Sequence, residues 1–410
     1  MRFKLLQILI GLFLLLLSGI GLFLSVWIVV PAPTFSLLPL GVGAPEISPW
    51  LFGFNAIALL LLLFSHSKGW IFSLAIACSV AGLVLTAYPL TQVAAASQQA
   101  SNAMYQAIGI DYLAKIPPPL QAQMRPQPFV LADVFRGIPF RSIPFRDSPA
   151  ANNLRQRAIE FAQPDGVPLS LEVYQPPKPG IYPTIVTIYG GAWQNGKPTA
   201  NAEFNRYMAA QGYTVVAIDY RHAPQYQFPA QIDDVRLALT YIQKNAKSLE
   251  VDLDRVVLMG RSAGAQLAMI AAYSAAMPVK AIVNYYGPVN LTSGYREPPQ
   301  PDPINSRAVL EAFLGGTPDQ KPELYDKASP YTYITPKAPP TLLVYGGRDH
   351  VVQAKYGRGL RDRLQTAGNI AVYVELPWSE HAFDALFSGL GNQIALYYTE
   401  RFIAWSVSGQ

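Results

Sequence analysis

The chain has 410 residues, of which 51% are hydrophobic and only 14% charged, with a formal net charge of +5. Soluble domains carry about 25% charged residues, so this balance excludes intrinsic disorder and argues against an ordinary cytosolic domain. A single cysteine, Cys78, excludes an internal disulfide, a cysteine-based zinc site and a CxxC redox pair.

Taken in chain order, the apolar excess sits mostly before residue 91. Residues 5–30 run without a charge, about 39 Å of helix at 1.5 Å per residue, which exceeds a hydrocarbon core of roughly 30 Å. That run is too long for a signal-peptide core, and two further apolar segments follow at 47–64 and 70–90. Three transmembrane helices are expected. Arg2 and Lys4 precede the first and Lys68 lies between the second and third, whereas the loop 31–49 has no Lys or Arg. Basic residues favour the cytoplasmic side. An integral membrane protein of a bacterial inner membrane follows, with everything after Leu90 on the extracytoplasmic side.

Residues 91–157, with seven Lys/Arg against three Asp, read as a small-residue helix ending before Pro117-Pro118-Pro119 and then a Pro-rich basic linker. Residues 158–410 balance 21 basic against 22 acidic residues, so the positive charge belongs to the membrane segment and linker. It is spread thinly and lacks the dense basic clusters with interleaved aromatics of a nucleic-acid groove. A lipid bilayer is the expected partner, and nucleic acid is not.

From about residue 158 to the end, β-rich apolar runs alternate with helical patterns. Strands are expected at 169–174, 184–189, 214–219, 255–260, 281–286, 341–345 and 371–376, with helices at 201–210, 231–247, 263–275, 353–367 and 383–405. Near-continuous Val, Ile and Leu within strands marks a sheet covered on both faces. The alternation marks a mostly parallel α/β architecture. Residues 291–340 break the rhythm and read as an inserted cap.

One constellation carries chemistry. Gly260-Arg261-Ser262-Ala263-Gly264 joins a strand to a helix, the setting of a nucleophile elbow that raises a serine above the sheet edge. A serine hydroxyl needs a base, and the chain offers four histidines. His66 falls in the membrane turn, His222 lies upstream of the serine, and His350 directly follows Asp349. Only His381 completes the order serine, acid, histidine, with the strand-end Asp349 as the orienting acid in preference to Asp326 or Glu380. Backbone amides of Gly191 and Ala192, after the strand ending near Ile188, and of Ala263 are candidates for an oxyanion hole. Trp193, Tyr285, Tyr286, Phe313 and Trp378 are candidates for an aromatic substrate pocket, or equally for the core. The chemistry requires no metal and no cofactor.

These blocks together resemble the α/β-hydrolase superfamily, in particular its hormone-sensitive-lipase-like and feruloyl-esterase-like (BD-FAE-like) carboxylesterases. Tyr189-Gly190-Gly191-Ala192-Trp193 stands where the family has HGG(G/A)W, and Asp219-Tyr220-Arg221-His222-Ala223-Pro224 where it has DYRLAP. Phe228-Pro229-Ala230, Gly260-Arg261-Ser262-Ala263-Gly264, Leu314-Gly315-Gly316-Thr317-Pro318, Ser329-Pro330, Asp349 and His381-Ala382-Phe383 follow in family order over roughly 160–405. The resemblance implies an α/β-hydrolase fold and a small ester substrate cleaved through an acyl-enzyme on Ser262. Tyr189 departs from the family histidine that braces the loop. The competing expectations are an acyltransferase or deacetylase acting on a lipid or glycan, a peptidase, and a non-catalytic binding protein on the same scaffold.

Overall fold

The computed structural model describes residues 2–65, 68–136 and 153–409. His66 and residues 137–152 of the Pro-rich linker, including Arg141, Arg146 and Asp147, lie outside the described residues.

The N-terminal part is helical: α1 (Arg2–Val26), α2 (Leu38–Glu46), α3 (Ser48–Phe64), α4 (Trp70–Ile108), α5 (Pro118–Gln121) and α6 (Leu131–Arg136). Helices α1, α3 and α4 pack on one another, joined where Asn55 donates to Ser25 Oγ at 3.0 Å and Ser79 donates to Ser18 Oγ at 2.9 Å. Small and hydroxylated residues permit this close approach of apolar helices. Outward-facing Leu5, Leu9, Phe13, Leu16, Leu61, Phe64 and Val84 remain exposed.

Three boundaries differ from the sequence expectation. The first helix ends at Val26, and the 17-residue α3 is preceded by α2, from which it bends by 82°. The third helix does not stop at Leu90 but continues through Pro89 for 39 residues, about 58 Å.

The remaining strands are β1 (Arg155–Ala162), β2 (Leu169–Gln175), β3 (Tyr182–Ile188), β4 (Thr214–Ile218), β5 (Val251–Arg261), β6 (Ala281–Tyr285), β7 (Thr341–Gly346) and β8 (Ala371–Leu376). They form one sheet in the order β1-β2-β4-β3-β5-β6-β7-β8. Strands β1, β2 and β4 pair antiparallel, and every later pair is parallel. Crossovers are made by α7 (Ala202–Ala210), α8 (Ala230–Lys244), α9 (Ala246–Leu249), α10 (Ala263–Tyr273) and α14 (Ala354–Thr366). The cap carries α11 (Leu291–Arg296), α12 (Ser306–Leu314) and α13 (Pro322–Lys327), and the chain closes with α15 (Leu390–Val407). This is the expected mostly parallel α/β architecture. The final helix starts later than expected, because a separate 3-10 turn occupies Phe383–Ala385.

The core does not respect the expected boundary at 158. Ala96, Ala100, Met104 and Ile108 of α4, with Tyr112, Ile116 and Val134, join the same buried cluster as the sheet residues. The later half of α4 lies against β8 and α15. Arg125 and Gln393 tie the segment down further, since the Arg125 amide donates to Glu400 and the Val130 amide to Gln393. Met104 is fully buried, and large-to-small substitution at such a site costs about 2–5 kcal/mol. Met104→Ala in the detergent-solubilised chain is therefore expected to lower the denaturant midpoint read by tryptophan fluorescence. An unchanged midpoint would mean that α4 does not contribute to that core.

Candidate active site

Parallel strands end on one edge of the sheet, and the turns leaving that edge carry the chemistry. Strand β5 passes directly into α10, and Ser262 between them sits at φ 51°, ψ −123°, outside the ordinary regions for an L-residue. Its neighbours explain how that backbone is held. A Cβ on Gly260 would lie 2.3 Å from the Gly264 carbonyl oxygen, and one on Gly264 would lie 2.3 Å from the carbonyl oxygens of Ile188 and Tyr189. Only glycine fits at either place. The Ser262 amide donates to the Tyr285 carbonyl at 3.0 Å, fixing the turn from the adjacent strand.

The Ser262 hydroxyl reaches Nε2 of His381 at 3.0 Å, and Nδ1 of His381 reaches Asp349 Oδ2 at 2.8 Å. Asp349 follows β7 and is buried; its second oxygen accepts the Val351 and Val352 amides at 2.8 and 2.7 Å. With the carboxylate oriented this way, the imidazole proton resides on Nδ1, and Nε2 is left to accept from serine. The three residues taken from the sequence as serine, acid and base thus meet in one hydrogen-bonded line. Glu380, the rival acid, accepts instead from the His350 amide and pairs with the His350 ring at 2.7 Å. His222 lies against Tyr189.

The turn after β3 places Gly191, Ala192 and Trp193 at successive positive φ values of 139°, 54° and 58°. Ala192, Ser262 and Ala263 border the same cleft. Among the described residues, no acceptor takes the amides of Gly191, Ala192 or Ala263. Tyr189 fills the brace position by other means. Its hydroxyl donates to Asp219 at 2.6 Å and lies 2.9 Å from His222 Nε2, while its ring stacks on Tyr220 at 4.5 Å.

Several expected pocket residues fall elsewhere. Tyr285 is buried with its hydroxyl on Thr399, Trp378 is wholly buried, and Phe313 stacks behind Trp193 at 4.1 Å. Tyr286 packs its ring 4.5 Å from the His381 ring and donates its hydroxyl to Asp384. Of the five pocket candidates, only Trp193 borders the cleft. The cleft is instead walled largely by aliphatic side chains, Val289, Leu291, Val309, Leu310, Val351 and Val352, with Tyr356 and the polar Asn290, Glu297 and Ser306 also on its lining.

Sequence reasoning also missed Asp384 and Arg261. Arg261, buried beside Ser262, pairs with Asp384, which follows His381 by three residues. The i+3 spacing of an acid after the histidine was the available signal. Among the described residues, no group of three or more His, Cys, Asp or Glu is placed to hold a metal ion.

Electrostatics follow from this burial. Burial disfavours the imidazolium of His381, but the carboxylates of Asp349, Glu380 and Asp384 outweigh it and hold its pKa above 6.5. Burial also pushes the Asp349 carboxyl above its usual range.

The chain is similar to known ester hydrolases. Residues 171–364 match the BD-FAE family model. A probable carboxylic ester hydrolase, LipM of Mycobacterium tuberculosis, is 32% identical over 240 residues, covering 55% of this chain and 54% of its own length. Esterase LipC of the same organism is 32% identical over 228 residues, covering 52% and 55%. The chain thus spans about half the length of the curated relatives it matches. Among solved structures, an esterase of Pyrobaculum calidifontis superposes with a TM-score of 0.55 at 26% identity, covering 62% of this chain and 86% of that one. A bacterial heroin esterase, at 22% identity, shares the fold with a TM-score of 0.57 over 64% of this chain and 87% of its own.

A base must be neutral to accept a proton, so rate is lost as pH falls through the His381 pKa. The acid limb of kcat/KM against pH is expected to have its midpoint above 6.5. Asp349→Asn removes the main favourable charge, leaves the burial, and should move that midpoint down while lowering kcat on the order of 10³–10⁴-fold. A limb that stays in place would remove Asp349 from this role.

Proposed function

We propose that this chain, which carries an α/β-hydrolase domain of the carboxylesterase branch, hydrolyses carboxylic esters through an acyl-enzyme on Ser262 while held in a membrane by its N-terminal helices. The observation that carries the reading is the unbroken line from Ser262 through His381 to Asp349 at the edge of an aliphatic cleft.

In the proposed reaction, the Ser262 oxygen attacks the ester carbonyl as His381 Nε2 takes its proton. The charge that develops on the carbonyl oxygen is met by the amides of Gly191, Ala192 and Ala263, pre-oriented by the positive-φ turn and by the start of α10. Donors fixed in advance are effective because they need not reorganise during reaction; losing one typically costs 10²–10³-fold in rate. His381 then returns the proton to the departing alcohol, and water attacks the acyl-enzyme by the same route in reverse. The aliphatic wall favours an apolar acyl or alcohol group over a charged one, since burying a charge there without a partner is costly.

The membrane part of the reading rests on exposed apolar side chains along α1, α3 and the first half of α4, and on the length of α1, α4 and the bent α2–α3 pair. Basic residues at the N-terminus and Lys68 assign those ends to the cytoplasm. The carbonyl of Val29, past the far end of α1, meets Arg348 of the hydrolase domain, which supports an extracytoplasmic domain.

In detergent, the full chain is expected to react with a fluorophosphonate probe, and Ser262→Ala to abolish labelling; a labelled variant would sink the assignment of Ser262. Across a p-nitrophenyl ester series, kcat/KM should favour apolar acyl chains. A reporter enzyme fused after Gln410 is expected to be active outside the cytoplasm, and activity confined to the inside would refute three crossings.

A further inference from the structure

Between the first two apolar helices, α2 ends on Glu46, the sole acid before residue 111. Its side chain does not face solvent or lipid. It is wholly buried against the hydrolase domain, where Oε1 accepts the Ser379 hydroxyl and Oε2 accepts the Gly391 amide, both at 2.6 Å. Among the described residues, no cation pairs with it. An unpaired buried carboxylate is costly to maintain, so its location calls for a reason. The receiving surface is shaped for it: a Cβ on Gly391 would fall 2.8 Å from Oε1 and 2.4 Å from the Ser379 hydroxyl.

Ser379 lies two residues before His381 and joins both turns that feed the serine. Its carbonyl accepts the Arg348 amide, immediately before Asp349, at 3.1 Å. The neighbouring Glu380 holds His350, on the other side of Asp349. The N-terminal segment grips this junction at two points. Glu46 takes Ser379, and the Val29 carbonyl accepts from the Arg348 guanidinium at 2.5 Å. Neither contact reaches the cleft.

We propose that Glu46 is a positioning residue for the turn carrying His381, so that the N-terminal helical segment is part of what makes the catalytic line competent rather than only an anchor. This inference rests on the acyl-enzyme reading above. The role is one of geometry. Glutamine can reproduce it, because its oxygen can accept from Gly391 while its amide donates to the Ser379 oxygen; alanine cannot. Small displacement of a catalytic group by a remote change costs up to about 10²-fold in rate.

The test uses the full chain in detergent with p-nitrophenyl butyrate, and thermal melts to establish folding. Glu46→Ala is expected to lower kcat 10–100-fold with KM within about twofold, and Glu46→Gln to recover most of the loss. Ser379→Ala, which cuts the same bond from the other side, should reproduce the kcat loss. It carries the test together with Glu46→Gln should the alanine variant at 46 fail to fold. Folded variants with wild-type kcat, a loss borne by KM, or a glutamine variant as impaired as alanine would each overturn the role of Glu46. If the wild-type chain takes no fluorophosphonate, the acyl-enzyme reading itself fails; if it labels normally while the variants turn over at wild-type rate, only the Glu46 proposal fails.

Discussion

The structure is organised around a backbone that cannot relax. Ser262 is held at a positive φ between β5 and α10, and it stays there because α10 is pressed onto the strand ends with no room for a side chain at Gly260 or Gly264. Such strain persists only where the surroundings over-determine it. The surroundings here are the parallel sheet itself. Strands β3, β5 and β6 flank the elbow, and the Tyr285 carbonyl at the end of β6 accepts the serine amide. Once that turn is fixed, the start of α10 and the turn after β3 face the same point, and a cleft follows between them and the cap.

The acid and the histidine depend on the same sheet less directly. Each sits on an irregular turn beyond its strand, and a turn alone would leave the imidazole free to swing. Several contacts remove that freedom. Arg261, next to the serine, holds Asp384 beyond His381, Tyr286 lies over the imidazole, and Ser379 joins the two turns. The neighbour of Ser262 therefore helps to place His381. Buried ion pairs of this kind add little net stability; here the pairing sets direction.

Much of this was legible in the sequence because it is written locally. The elbow is a five-residue pattern at a strand–helix junction, and the order serine, aspartate, histidine left one candidate for each role. Strands β2 to β8 announced themselves through runs rich in Val, Ile and Leu. Strand β1 did not. It is an edge strand with Arg155, Arg157 and Glu160 exposed or half-exposed, so its composition resembles a loop. The lining of the cleft was not legible for a different reason. Tyr285 and Trp378 suit a pocket or a core alike, because which way a residue faces at a strand end depends on the tertiary course of the turn, and both point into the core. Helix α4 looked like two elements because its composition changes near residue 90 from aliphatic residues to small and amide residues. The backbone continues, and only its surroundings change. Glu46 carried no local signal at all, since its partners lie more than 330 positions away.

The unbroken course of α4 bears on how such a molecule meets its substrates. A catalytic head on a flexible stalk tumbles and samples every direction above a surface. On the proposed membrane reading, one continuous helix would enter the bilayer and also form part of the head's interior, leaving no swivel between them. The mouth of the cleft then keeps a set height and heading relative to the plane of the lipids. An ester would then have to arrive along that heading to react, adding selection by approach direction to selection by shape.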